Sequence, residues 1–305
     1  MAVLGDKLKY TGKNIEEDEN LLKSAEFIPD PALPVNLLRR APQPQYPLHA
    51  HEFSELVIIY AGEGTHFTRD GASRVRAGDV FFIQGNTAHG YREVRGLKLI
   101  NIIFDLKNLE SPISDLPLFP AFLVLFKLEP ELRTEKDYAG HFNLNPAQLE
   151  QVMAAADRME EEIARNEPGR GLMVTALFMQ LVALLIRWYE QTPPQRSPKL
   201  EGIGKALSYL NRNFQHKISV RQLADIANMS ESSLTRAFRK AVGMPPVMYC
   251  CRLRIHKALN MLINTEMSIS EIADITGFED SNYFSRMFRQ FTGNSPRDYR
   301  KISRI

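Results

Sequence analysis

The spacing of apolar residues changes period along the chain, and each change marks a boundary. From Val35 to Asp105 they fall in short β-type runs: Glu55 to Tyr60, Val80 to Ile83 and Leu97 to Phe104 read as strands. Ala61-Gly62-Glu63-Gly64 is expected to close the first run in a turn, and Asp70-Gly71 marks a hairpin. Several short strands at intervals of about 8 to 12 residues indicate a β-sandwich or small barrel. Residues 106–145 hold several prolines and no clear period. After Asn145-Pro146 the period turns helical, with Leu149, Val152, Met153, Ala156 and Met159 on one face through Arg165. Pro168-Gly169 interrupts it, and a second helix runs from about Gly171 to Glu190. Its stripe of Leu177, Leu181, Leu184, Leu185 and Trp188 fits either packing on the barrel or a dimer seam.

From Ile218 to Tyr299 one pattern is written twice. Phe238, Arg239, Gly243, Pro246 and Tyr249 recur as Phe288, Arg289, Gly293, Pro296 and Tyr299, at an offset of 50. Upstream, Leu223-Ala224-Asp225-Ile226 answers Ile272-Ala273-Asp274-Ile275 at an offset of 49, so the second copy carries one extra residue in the turn between its helices. Such self-similarity is a duplicated supersecondary unit, and each copy has the make-up of a helix-turn-helix. Ser219 can cap a helix Val220 to Asn228, and Ser230 a second helix that Gly243 stops. In the second copy Ser268 or Ser270 caps a helix to about Thr276, Gly277-Phe278 turns, and Asp280-Ser281 starts the next helix. Leu223, Ile226, Leu234 and Phe238 are expected to face inward, as are Ile272, Ile275, Phe284 and Phe288. Val247, Leu253, Ala258 and Leu262 lie at helical spacing in a breaker-free stretch that joins the copies.

The remaining segments serve as flanks. Residues 1–35 start acidic and end rich in proline, which reads as an arm with flexible parts; 36–145 form the β domain and 146–191 a helical connector. A proline-rich tether at 192–199 leads to an all-α unit at 200–305.

Charge sharpens this division. The 305 residues balance to a net charge of only +2, yet from residue 200 onward there are 16 basic and 9 acidic residues, against 22 basic and 27 acidic before it. A basic C-terminal half points to nucleic acid as its partner. The two cysteines, Cys250 and Cys251, are adjacent, which suits a reducing cytoplasm. The N-terminus lacks an apolar signal core, and the most apolar run, Leu172 to Ile186, falls short of the roughly 18 residues of a membrane helix. A cytoplasmic protein with no membrane partner is the expectation.

The candidate DNA-reading chemistry lies on the polar faces of the second helices: Ser232, Ser233, Arg236, Arg239 and Lys240 in one unit, Asp280, Ser281, Asn282, Arg286 and Arg289 in the other. At the start of a helix in a major groove, Arg bonds guanine, Asn adenine and Asp the cytosine amino group; basic residues farther along meet phosphate. A charged helix face by itself is usually only a solvated one, but duplication and the basic balance argue for DNA. These residues, with Ile272-Ala273, Gly277-Phe278-Glu279-Asp280-Ser281-Asn282-Tyr283-Phe284-Ser285 and Gly293-Asn294-Ser295-Pro296-Arg297-Asp298-Tyr299-Arg300, resemble the signature of AraC-family transcription regulators, closest in appearance to the rhamnose-regulon activators. The resemblance implies promoter DNA as partner, base contacts from Ser232, Arg236, Asp280 and Asn282, and an acidic contact to the RNA polymerase sigma subunit from Glu271.

The β region carries a second constellation. His49-Ala50-His51, Glu55 and the later His89 resemble the metal site of cupins, where imidazoles and a carboxylate bind a divalent cation. Read as one strand, His49, His51 and Glu55 would share a face. Three readings stay open: a metal site, an effector pocket without metal, and histidines merely satisfied at the barrel mouth. The resemblance favours the effector pocket, with Arg39, Tyr46, Tyr60, His66 and Tyr91 as further lining residues, and no required cofactor.

The expected fold is α+β, an N-terminal cupin-like β-barrel sensor and helical connector followed by two helix-turn-helix units joined by a helix. The expected function is a promoter-binding regulator controlled by a small molecule, expected to be a sugar, and working as a homodimer. The alternative is a metal-dependent cupin enzyme or metal sensor fused to a DNA-binding domain.

Overall fold

The computed structural model describes residues 21–28, 30, 33–69, 71–105, 119–132, 142–165, 167–191 and 198–303. Most of the arm, Asp70 and residues 192–197 of the tether lie outside them. The β domain is an eight-stranded sheet ordered β1 (Leu21–Leu22), β3 (Tyr46–His51), β7 (His89–Phe104), β4 (Ser54–Thr68), β6 (Asp79–Ile83) and β8 (Phe142–Asn143), with β2 (Val35–Arg40) on β7 and β5 (Ala72–Arg76) on β4.

Two strands, β4 and β7, run the length of the sheet. The turn expected at Ala61 to Gly64 is absent: β4 continues to Thr68, and its pairing with β7 shifts register between Ile59 and Ala61, Ala61 and Glu63, and Glu63 and Thr65. Bulges re-aim a long strand without ending it. Gly62 makes one of them possible, since its φ is +73° and an added Cβ would sit 2.2 Å from the Gly96 carbonyl oxygen.

The pleat separates two cores. Val57, Ile59, Phe81, Ile83, Tyr91, Leu97 and Leu99 close an inner core, whereas Leu56, Ile58, Val80, Phe82, Ile100 and Ile102 face out against helices. A helical turn α1 (Ser24–Phe27) follows β1, and the covering helices are α2, α3 (Pro146–Arg165) and α4 (Arg170–Gln191), α2 being Pro120–Leu123, a π-helical turn Val124–Leu128 and Glu129–Leu132. The stretch 106–145, irregular to the eye, therefore holds a buried helical run. Its period is hidden because Ala121 to Phe126 are buried on every side, and Pro130 has no N–H to give the carbonyl four residues back. By length and composition α4 could cross a membrane, but Val174, Phe178, Leu181, Val182, Leu185, Ile186 and Tyr189 are buried in the outer core.

A further helix, α5 (Pro198–Asn213), precedes α6 (Val220–Ala227) and α7 (Glu231–Val242); α8 (Pro246–Asn264) leads to α9 (Ile269–Ile275), α10 (Ser281–Thr292) and α11 (Pro296–Ser303). The outer core extends without a break from the sheet through α2 to Leu200, Ile203, Leu207, Leu223, Leu234 and Phe238 of the first helix-turn-helix unit. The second unit has its own core, around Ile255, Ile272, Phe278, Phe284 and Phe288. One expected inward residue differs, Ile275 at 40% exposed, and Ile226 is only half-buried; Val247 of the joining helix is 51% exposed. Helical spacing identifies a stripe but not its edges.

Candidate functional site

Each helix-turn-helix is built by its caps. Ser219 accepts from the Gln222 N–H, Ser230 from the Ser233 N–H and Asp280 from the Asn282 N–H. Ser268 and Glu271 form a reciprocal capping box, and hydrogen bonds from Ser268 hold the Glu271 carboxyl below its ordinary range. Asn228 and Gly277, both at positive φ, close the first helices, and Met229 and Phe278 donate to Ala224 and Ala273 at 2.9 Å, still at an offset of 49. The extra residue is therefore Glu279, just before the Asp280 cap.

On the outer face of α7, Ser232, Arg236, Arg239 and Lys240 are exposed, and Ser233 is half-buried. On α10, Asn282, Arg286 and Arg289 are exposed and repeat the positions of Ser232, Arg236 and Arg239; Arg286 lies over the Tyr283 ring at 5.1 Å. Asp280 is exposed but shares its carboxylate with the cap, and Ser281 is half-buried.

Contacts that the repeat did not reveal lock the two units together. Arg254 of α8 donates to the Phe214 and His216 carbonyls at 2.6 and 2.9 Å and lies 5.5 Å over Phe278. Beside it the Gly277 turn packs on the Gln215 carbonyl. Arg254 looks like any helix-face arginine in sequence, since its partners are backbone atoms 38 to 40 residues away.

In the sheet, seven of the proposed pocket residues converge. His49 and Glu55 are not on one strand, because the chain bends at Glu52-Phe53 and Glu55 belongs to β4. The bend nevertheless brings Glu55 beside His51 and His89, whose Nε2 atoms each lie 3.5 Å from its Oε2, with side chains 7%, 1% and 1% exposed. Burial pushes the Glu55 carboxyl up, but the two imidazoles outweigh it and hold the group below the usual carboxylate range. The Nδ1 atoms of His49, His51 and His89 face the carbonyls of Pro47, Phe53 and Thr87 at 3.1, 2.6 and 3.0 Å. Burial, helped by His89, lowers His49 to about 3. Tyr46 packs edge-on to His49, and His66 lies 5.6 Å from His89 and 5.3 Å from Tyr91. Phe53, which sequence reasoning passed over, stacks on His51 at 4.4 Å.

Arg39 and Tyr60 are placed elsewhere. Tyr60 follows Leu56 and Ile58 on the outer face, and Arg39 lies over it while pairing with Asp157 and Glu160 of α3 at 2.6 and 2.8 Å. The end of the arm reaches the other side of the cluster: Leu21 and Leu22 pair with Ala50 and His51, and Phe27 contacts Phe53. Part of that arm is thus packed structure. The buried His51, Glu55 and His89 could hold a metal ion.

A curled sheet with a polar cluster inside, sharing a core with paired DNA-reading units, defines a transcription regulator carrying an N-terminal ligand-binding domain. Family models agree in both parts, with an AraC-like ligand binding domain matching residues 37–182 and a helix-turn-helix domain residues 223–302. The chain is 31% identical over 290 residues to the HTH-type transcriptional activator RhaS of Enterobacter sp. (strain 638), covering 92% of this chain and 97% of the relative. It is 31% identical over 275 residues to the activator RhaR of Mannheimia succiniciproducens, covering 88% and 91%. Among solved structures, the C-terminal domain of AraT, a response regulator from Geobacillus stearothermophilus, is similar at 28% identity over 34% of this chain and 87% of that one, with a TM-score of 0.33. The chain belongs to the AraC family, a family of transcription regulators and not of enzymes, which sets aside the cupin-enzyme alternative.

Proposed function

We propose that a sugar-like small molecule binds among the barrel histidines and thereby controls promoter binding by the paired helix-turn-helix units. The observation that carries this reading is the polar cluster of Tyr46, His49, His51, Glu55, His66, His89 and Tyr91 in the sheet interior beside the arm strand, all buried except the half-buried Tyr46 and His49. Hydroxyl groups of a sugar suit imidazole nitrogens and a carboxylate, and the arm strand paired beside them links occupancy to the rest of the chain. The similarity to RhaS and RhaR supports activation as the outcome and rhamnose as the first sugar to try. The continuous core through α2 supplies a physical route from sheet to reading helices. Ser232, Arg236, Asp280 and Asn282 read bases, Arg239, Lys240, Arg286 and Arg289 meet phosphate, and Glu271 faces the polymerase sigma subunit. A cytoplasmic homodimer doubles the DNA contacts.

The test is a thermal-shift screen of the full chain against sugars, followed by DNA-binding titrations with any sugar that raises stability. A ligand that binds only the folded state raises its melting temperature with concentration. No stabilising sugar, or stabilisation with DNA affinity and transcription both unchanged, refutes the reading.

A further inference from the structure

The Nε2 atoms of His51 and His89 converge on one oxygen of the buried Glu55 carboxylate, each at 3.5 Å. Backbone carbonyls only accept, so the Nδ1 atoms of His51 and His89 carry the protons that meet Phe53 and Thr87, and the Nε2 atoms are the ones turned toward Glu55. The buried His51 Nε2 has no hydrogen-bond partner among the described residues. The 3.5 Å separations exceed the roughly 2.7–2.9 Å of a charge-assisted bond. They match instead the edge, about 3.4 Å, of a tetrahedron with metal–ligand bonds of about 2.1 Å.

We propose that His51 Nε2, His89 Nε2 and the Glu55 carboxylate hold one divalent transition-metal ion. A cation between them would be coordinated by both Nε2 atoms and the carboxylate, and the Nδ1 bonds are the outer-shell supports that fix ligating imidazoles. Two imidazoles and one carboxylate suit Fe, Mn, Co, Ni or Zn, and leave positions open for water or an oxygen-bearing effector. His49 is not one of the three ligands. Its ring lies 4.3 Å from that of His89 but 6.2 Å from that of His51, so it borders the open side. The ion goes beyond the effector reading and is measured without it.

The full chain, stripped with a chelator, is titrated with Co(II) and followed by its visible absorption. One Co(II) per chain is expected, with affinity lowered more than about 100-fold in both His89→Gln and Glu55→Gln, beyond what outer-shell changes cost, and the band retained in His49→Gln. Circular dichroism and DNA binding on the same samples report folding. Should a variant unfold, X-ray absorption of the wild-type Co(II) complex decides, with two imidazole ligands expected. Substoichiometric binding, a band that survives His89→Gln and Glu55→Gln, a band lost in folded His49→Gln, or an imidazole count other than two overturns the assignment. A sugar-dependent thermal shift in metal-free protein leaves the effector reading standing if the metal fails.

Discussion

Replacing Gly277 by alanine tests whether the two helix-turn-helix units touch as a rigid pair or are merely strung along α8. Gly277 has φ +91°, and an added Cβ would lie 2.3 Å from the Gln215 carbonyl oxygen and 2.8 and 2.9 Å from its C and Cα. A left-handed conformation costs a non-glycine residue about 1–2 kcal/mol. The contact adds an overpacking cost of about 1–3 kcal/mol, because backbone on both sides must part by roughly 1 Å. Gly277→Ala should therefore destabilise by about 2–5 kcal/mol in all. Gly293→Ala is the matched control: its φ is +79° and nothing lies within 4 Å of the added Cβ, so only the conformational cost of about 1–2 kcal/mol applies. Urea unfolding of the full chain reads both. If the units relieve the overlap by separating, the loss moves to DNA affinity, since the reading helices no longer match two successive major-groove segments. Equal stability and equal DNA affinity for the two variants would refute the inter-unit contact.

Four other outcomes follow from the same geometry. Arg236→Ala and Asn282→Ala should each cost about 1–3 kcal/mol at particular base pairs in a mutated-operator titration; uniform weakening on all sequences would make them phosphate contacts. A fragment of residues 198–305 should bind the operator, and no affinity at low salt would contradict the placement of the DNA face. Arg39→Ala should change stability by no more than about 1 kcal/mol, as partly exposed ion pairs do, and leave sugar binding intact because Arg39 lies on the outer face; lost sugar binding by thermal shift would refute that. Burial pushes the Tyr249 phenol up to about 12 against an unfolded value of about 10. The neutral form is favoured in the fold, so this contribution is complete below pH ~10 and lost as pH rises through ~12. Stability measured across that window should fall, and fall less in Tyr249→Phe.

Local information was enough for much of this protein. The duplicated unit, its serine and aspartate caps, the glycine stop after α7 and the offset change from 49 to 50 are all set by residues a few positions apart, and the structure has them at those positions. The extents of α3 and α4 are legible too because one side of each meets solvent, although on α4 the buried face centres on Val174, Phe178, Val182 and Ile186, and Leu177, Leu184 and Trp188 of the expected stripe are half-buried. Where burial is complete the period vanishes, which is why α2 could not be read. Long-range closure decided the rest. Glu55 meets His51 and His89 only through strand pairing around a bend, Tyr60 and Arg39 turn outward because the pleat alternates, and Arg254 holds a loop about 40 residues away. Sequence determined which chemistry the chain carries; which side chains share a point in space was decided by sheet register and helix packing, whose contacts span distances that no local pattern records.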